Sequence, residues 1–315
     1  MSTIRPCVGI SACLLGEPVR YDGRDKRHTF LVETLGPHVE WCPICPEAGA
    51  GMGIPREPVF LRQGMQQNEM IGWESHRDYT PAMMEWIEQQ LERWRALSLD
   101  GVILKSKSPS CGLAGVDVFD TEGEVVEAGR GLFAEALCAV ESVPFVRSEK
   151  GLDDVEEQEH FLTQIFTHAR WKAWQEEGQT AAQLQAFHAS HKMLFLSYDQ
   201  SCYRKMGPLV AQWKQRGMEQ TCHAYAKLMS QALMTPPQKG DHVNTVMHLF
   251  GMMKRAVPAP VRKRLEQQLR DYTDGTLALY VLREALKEVI EGHDVMPWLK
   301  QQVYLSPHPV ALSWS

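Results

Sequence analysis

The chain has 315 residues, 44% hydrophobic and 23% charged, with a formal net charge of −6. That length predicts about two domains, and the mixture is that of a globular protein rather than a disordered or fibrous one. No apolar run approaches the roughly 20 residues that span a bilayer. The start "MSTIRPCVGISACLLGEPVR" is broken by Arg5, Pro6, Gly16 and Glu17, so neither a signal peptide nor a membrane is expected, and a reducing cytoplasm is.

The charge is unevenly spread. Through Lys150 there are 15 Lys and Arg against 22 Asp and Glu, a net −7; the remainder carries 18 against 17, a net +1, with nine of the twelve histidines. Neither half is basic enough to declare nucleic-acid binding on charge alone; the second half is the one place for it. In such a chain the eight cysteines read as metal ligands, catalytic groups or packed residues rather than disulfides. Cys138 and Cys222 fall in helical patterns and are expected to be packed, while Cys7 and Cys202 carry no motif.

Strand-like runs occur at Cys7–Cys13, Val39–Cys42, Val102–Lys105 and Pro144–Arg147. Between the second and third, Thr80 and Pro81 read as an N-cap and first-turn proline. The helix they open carries Met84, Ile87, Leu91 and Trp94 on one face. Arg130–Glu141 reads as another helix, packing through Leu132, Phe133, Ala136 and Leu137. Strands alternating with helices predict a parallel sheet, here an α/β, Rossmann-like domain over residues 1–148.

Past "SEKGLDDVEEQ" the pattern becomes helical, in "FLTQIFTHARWKAW", "AAQLQAFHASHKMLFLSY", "HVNTVMHLFGMMKRAV" and "TLALYVLREALKEVI". An all-α domain is expected over residues 149–315. There, Asn244, His248, Gly251 and Arg255 share one polar helical face, opposite Val246, Leu249, Phe250 and Met253. Lys254, Arg262, Lys263 and Arg264 add charge nearby. Tyr203 beside Arg204 and Lys205 forms a candidate stacking and phosphate pair. His188, His191 and Lys192 fall on neighbouring helical positions, where satisfied histidines at a domain interface are the more common outcome.

Three cysteines follow strand-like runs in small-residue loops: Cys13 in "VGISACLLG", Cys45 in "VEWCPICPE" and Cys111 in "GVILKSKSPSCG". Strand C-termini align along one sheet edge, where ligands bind, so three thiolates could converge. Joined by Cys42, they could form a closed four-thiolate zinc site. Alone, they could hold a 4Fe-4S cluster with one iron open to substrate. A third reading has no metal and one nucleophilic cysteine, without a histidine in these loops to activate it. Glu47 and Ser108 stand beside the cysteines, suited to proton relay and hydrogen bonding; as structure alone they would be turn residues. "GAGMGIPR" supplies flexible backbone without the spacing of a phosphate loop. Arg20 and Asp22 in "VRYDGRDKRH" could contact phosphate or ribose, or form a solvated turn.

"SACLLGEPVRYDG", "CPEAGAGMGIPREPV" and "SPSCG", in this order, resemble the thiouracil desulfidase family across the whole first half. The resemblance implies a 4Fe-4S cluster on Cys13, Cys45 and Cys111 with one open iron, Glu47 as acid/base and Ser108 as assisting hydroxyl. Cys42 lies outside that pattern. "FHASHKMLFLSYD", "YRKMGPLVA", "NTVMHLFGMMK" and "VYLSPHPVAL" resemble the helical domain fused to such domains in tRNA 4-thiouridine desulfidases. This implies a substrate of 4-thiouridine in tRNA, converted to uridine and hydrosulfide. The alternatives are desulfuration of free thiouracil or thiolated nucleotides, and a zinc-stabilised RNA-binding protein without catalysis.

Overall fold

The computed structural model describes residues 4–140 and 143–312. The chain packs as two compact units, the first running through Ala169 and taking in Val310, the second being Arg170–Pro309.

In chain order the first unit forms β1 (Cys7–Ser11), β2 (Glu40–Ile44), α1 (Pro46–Gly49), β3 (Val59–Arg62), β4 (Glu69–Gly72) and α2 (Thr80–Leu97). Next come β5 (Gly101–Leu104), β6 (Val116–Phe119), β7 (Val125–Gly129), α3 (Leu132–Cys138), β8 (Val146–Ser148) and α4 (Val155–Glu176), inside which the two units part. The main sheet has the order β2-β1-β5-β8 and is parallel throughout. Its central strands β1 and β5 are short apolar runs because both faces are covered: Val8, Ile10, Val102, Ile103 and Leu104 are all buried. Close approach of α2 explains a glycine in β1, since a Cβ on Gly9 would stand 2.9 Å from the Trp94 ring. On the neighbouring strand a Cβ at Gly101 would meet Ile165 of α4 at 2.8 Å. Asp100, buried just before β5, accepts from the Cys7 amide at 2.8 Å and pairs with His168 Nδ1 of α4 at 2.7 Å.

A second sheet, of order β4-β3-β6-β7 with antiparallel outer pairs around a parallel centre, is absent from the strand pattern read above. Its strands are four or five residues long and each carries one charged residue, too short for a clear period. Leu61, Met70 and Val118 point inward, whereas Phe60, Trp73 and Phe119 meet edge to face at 5.1–6.0 Å.

Three details differ from expectation. Thr80 is the first residue inside α2 rather than its cap, and its Oγ1 accepts from the Met70 amide at 2.8 Å, tying the helix to β4. The helix expected over Arg130–Glu141 spans Leu132–Cys138, with its expected end at Glu141 outside the described residues. Cys138 at its last position is exposed rather than packed; Cys222 is buried.

In the second unit, α4 is followed by α5 (Ala181–Tyr198), α6 (Gln200–Ala211), α7 (Trp213–Arg216), α8 (Met218–Ala232) and α9 (Lys239–Met253). The chain then forms α10 (Ala259–Thr273), α11 (Leu279–Gly292) and α12 (Pro297–Lys300). A capping box at Thr180 and Gln183 starts α5, and α5 packs against α6, α8 and α9. One core gathers Leu194, Val246, Leu249, Leu265, Leu282, Leu286 and Tyr304. Among the described residues every regular element after β8 is helical, and no helix is long and apolar enough to cross a membrane.

Candidate active site

Each marked cysteine follows a strand of the parallel sheet at its C-terminal edge. Cys13 sits in a turn of helix over Ala12–Leu15, closed by Gly16 at φ +96°, where a side chain would be strained. The carbonyls of Cys13 and Leu14 accept from the Lys26 and His28 amides, both at 2.9 Å. Cys45 directly precedes α1, and its carbonyl accepts from Gly49 at 2.8 Å. Cys111 closes the "SPSC" turn after β5. The Pro109 and Ser110 carbonyls accept the first amides of α3 (Leu132, Phe133 and Ala134, 3.0–3.1 Å), so this loop is anchored to a helix start.

The three loops enclose a cavity of about 420 Å³, lined by Cys13, Cys45 and Cys111 together with Glu47, Ser108 and Arg20. Cys42 is not on its wall: its Sγ lies 3.2 Å from Cys7 Sγ instead. That geometry removes the fourth ligand from the closed zinc reading. Among the described residues no three His, Cys, Asp or Glu side chains are close enough together to share one metal ion.

Burial pushes the Cys13 thiol up to about 11, with Cys45 adding to the effect, and raises Cys45 as well. Cys111, more deeply buried, is pushed up to about 12. As free groups these thiols stay protonated at neutral pH, the opposite of an activated nucleophile. Three cysteines whose thiolates need compensating positive charge suit a multi-iron cluster, which supplies that charge and is held by thiolates. The donor set therefore fits a 4Fe-4S group.

Glu47 is 12% exposed and held at both oxygens. Oε2 accepts from Arg56 Nε at 3.1 Å and Nη2 at 2.6 Å; Oε1 accepts from Ser110 Oγ at 2.8 Å and Ser108 Oγ at 3.4 Å. Ser108 Oγ also accepts the Ser110 and Cys111 amides, at 3.3 and 3.2 Å, so one hydroxyl both shapes the cysteine turn and faces the cavity. Behind it, buried Ser110 reaches Cys111 Sγ at 3.7 Å. Lys105, also on the cavity wall, donates to Glu149, which accepts from the Ser106 amide at 2.6 Å.

Arg56, Ser110, Lys105 and Glu149 were not singled out from the sequence. Arg56 and Ser110 do lie inside the two motifs quoted there, but nine- and sixty-three-residue separations from Glu47 carry no local period that would join them to it.

Of the other marked residues, Arg20 lies on the cavity wall with its guanidinium 5.5 Å from the Tyr21 ring centre. Asp22 is not on that wall; its Oδ1 accepts from the Arg24 amide at 3.2 Å as a turn residue does. His248, Lys254, Arg255 and Arg204 are exposed on the helical unit. Tyr203 is half-buried against that unit's core, its ring 6.4 Å from His188. His191 is buried and stacked on Phe187 at 3.9 Å.

Comparison with known proteins adds two family matches: residues 8–150 match the model described as 2-thiouracil desulfurase, and residues 192–309 match that of a protein of unknown function, DUF1722. The uncharacterized protein YbgA of Escherichia coli (strain K12) is 27% identical over 151 residues, covering 47% of this chain and 88% of that protein. The uncharacterized protein YbbK of Bacillus subtilis (strain 168) is 31% identical over 108 residues, covering 33% of this chain and 71% of its own. Among solved structures, the 4Fe-4S-dependent thiouracil desulfidase TudS is 34% identical, covering 47% of this chain and 94% of its own, with a TM-score of 0.39.

Proposed function

Because the chain belongs to the 2-thiouracil desulfurase family through residues 8–150, we propose that it is a hydrolytic desulfidase acting on 4-thiouridine in tRNA. One observation carries this reading: Cys13, Cys45, Cys111, Glu47 and Ser108 all line a single cavity. Cys13, Cys45 and Cys111 would hold a 4Fe-4S cluster, which when bound supplies a thiophilic, Lewis-acidic iron for the substrate's sulfur.

The chain's own residues do the rest. Glu47 takes a proton from water attacking the C4 carbon of the base. Ser108 hydrogen-bonds the water or the base and keeps its exchange with Glu47 short. The C4–S bond breaks, sulfur leaves as hydrosulfide, and the carbonyl oxygen of uridine comes from the water. No net oxidation or reduction occurs. Ile44, Pro58, Val59 and Pro109 give part of the wall an apolar surface against which a flat base can rest.

The tRNA substrate is supported by the helical unit, where Arg204, His248, Lys254 and Arg255 are exposed and able to hold phosphates. Extruding a base from folded RNA costs a few kcal/mol, and backbone contacts offset that cost. A second reading, free thiouracil or a thiolated nucleotide, is favoured by the cavity volume of about 420 Å³, ample for one pyrimidine.

The test is anaerobic reconstitution with iron and sulfide, then loss of the thiocarbonyl absorbance of 4-thiouridine-containing tRNA with release of sulfide. Turnover that disappears in Cys13→Ala, Cys45→Ala and Cys111→Ala supports the reading. Clearance of free thiouracil but not of tRNA moves the assignment to the second reading.

A further inference from the structure

We infer that Arg56 is a positioning residue for this chemistry, acting with Ser110 as a clamp that fixes the Glu47 carboxylate. The inference rests on the proposed desulfidase reading.

Arg56 is part of the cavity wall, yet its guanidinium is taken up by the protein's own acceptors. Its side chain is 4% exposed. Nη1 donates to two backbone carbonyls, Val19 and Gly53, both at 3.0 Å, and the Arg56 amide donates to the Tyr21 carbonyl at 3.0 Å. These bonds come from the Cys13 loop on one side and the segment after α1 on the other, and they fix the guanidinium plane. With that plane fixed, Nε and Nη2 both meet a single carboxylate oxygen, Glu47 Oε2, and Nη2 also reaches Cys45 Sγ at 4.0 Å.

Two donors on one oxygen leave Oε1 pointed at the serine turn. Ser110 Oγ donates to it at 2.8 Å, and Ser110 is 1% exposed. Ser108 Oγ, on the cavity side, stands at 3.4 Å. The carboxylate is thus held at both oxygens by buried groups, with one face left toward the cavity. A lysine at position 56 would keep the charge and lose the fork, because an ammonium cannot present coplanar donors to two carbonyls and a carboxylate. Positioning by geometry and simple charge compensation therefore predict different behaviour for that substitution.

The experiment compares wild type with Arg56→Gln, Arg56→Lys and Ser110→Ala after anaerobic reconstitution. Iron and sulfide content and the visible spectrum are read first, then kcat and KM on 4-thiouridine-containing tRNA, then a crystal structure of Arg56→Gln. The clamp predicts wild-type iron content and KM within about threefold. It predicts a kcat fall of about 100-fold in Arg56→Gln, the scale expected for a displaced catalytic group, and a clear fall in Arg56→Lys. In the crystal structure, Glu47 leaves Ser110.

Full kcat in Arg56→Gln overturns the inference, and so does loss of iron, which would make Arg56 a residue of the fold alone. Full kcat in Arg56→Lys replaces the fork by charge and overturns the clamp as stated. If the wild type desulfurates neither tRNA nor thiouracil, the proposed function falls by itself. The crystal structure then decides the clamp, and an undisplaced Glu47 rejects it.

Discussion

Cys7 Sγ lies 3.2 Å from Cys42 Sγ across the paired strands β1 and β2, and Cys42 is off the wall of the cavity that holds its near neighbour Cys45. Cys42 and Cys45 thus share a motif spacing but not a site. Cys42→Ala is expected to bind as much iron as wild type and to keep its turnover, at a stability cost of about 1 kcal/mol for the lost packing. Cys45→Ala is expected to lose both. Iron content per chain, measured beside urea unfolding, checks the contrast.

The short helix α1 that presents Glu47 rests on Trp86. A Cβ added at Gly49 would stand 2.2 Å from Trp86 Nε1, and Trp86 packs against Phe133 with ring centres 5.6 Å apart. The indole cannot retreat without disturbing the core of the first unit. Gly49→Ala is expected to shift α1, lowering kcat at least tenfold and stability by about 1–3 kcal/mol. A Gly49→Ala, Trp86→Leu double variant should recover part of the stability, and a double-mutant cycle by denaturant unfolding measures the coupling.

Legibility in the sequence followed burial and locality. Central strands β1 and β5 could be read because strands buried on both faces are apolar runs, and the long helices because their period persists over many turns; the edge strands β2 and β8 are only partly buried and left a weaker trace. The second sheet could not be read: each of its short strands carries a charged residue that breaks the apolar run, and β7 is almost wholly exposed. At Cys138 the helical period continues past the point where α3 stops, so a residue expected inside is at an exposed end. The cysteine loops stood out because each follows a strand directly. Arg56 and Ser110 reach Glu47 through tertiary contacts, which no local period encodes.

The helical unit should weaken in mild acid. Burial holds His191 down to about 3, with Arg170 adding to the effect, and holds His188 down to about 4, with Lys192 contributing. His188 Nδ1 bonds the hydroxyl of buried Tyr225 at 3.1 Å. Both imidazoles therefore stay neutral in the folded chain at pH values where the unfolded chain protonates them. The contribution to stability is fully present above the usual histidine value of 6.5 and is lost as pH falls from there toward 4 and 3. Each histidine costs about 1.4 kcal/mol per pH unit in that window. Urea midpoints between pH 7 and pH 5 should fall steeply in wild type and less so in His188→Gln; equal slopes would reject the assignment.

If the helical unit grips tRNA through phosphates, its exposed cations should govern affinity and salt dependence together. Lys254 and Arg255 follow the end of α9 in exposed positions, while Val246, Leu249 and Met253 on the same segment are buried. Replacing the two cations by alanine leaves the apolar face untouched, so folding should be preserved. The Lys254→Ala, Arg255→Ala variant is expected to bind tRNA more weakly at low salt and to show a salt slope shallower by about 2, one unit for each phosphate contact removed. Its turnover of free thiouracil should equal that of wild type, because none of the cavity residues has changed. Titrations of tRNA at several salt concentrations separate the outcomes. An unchanged slope would mean that these residues touch no phosphate, and a parallel loss of thiouracil turnover would mean that the substitutions act on the cavity itself.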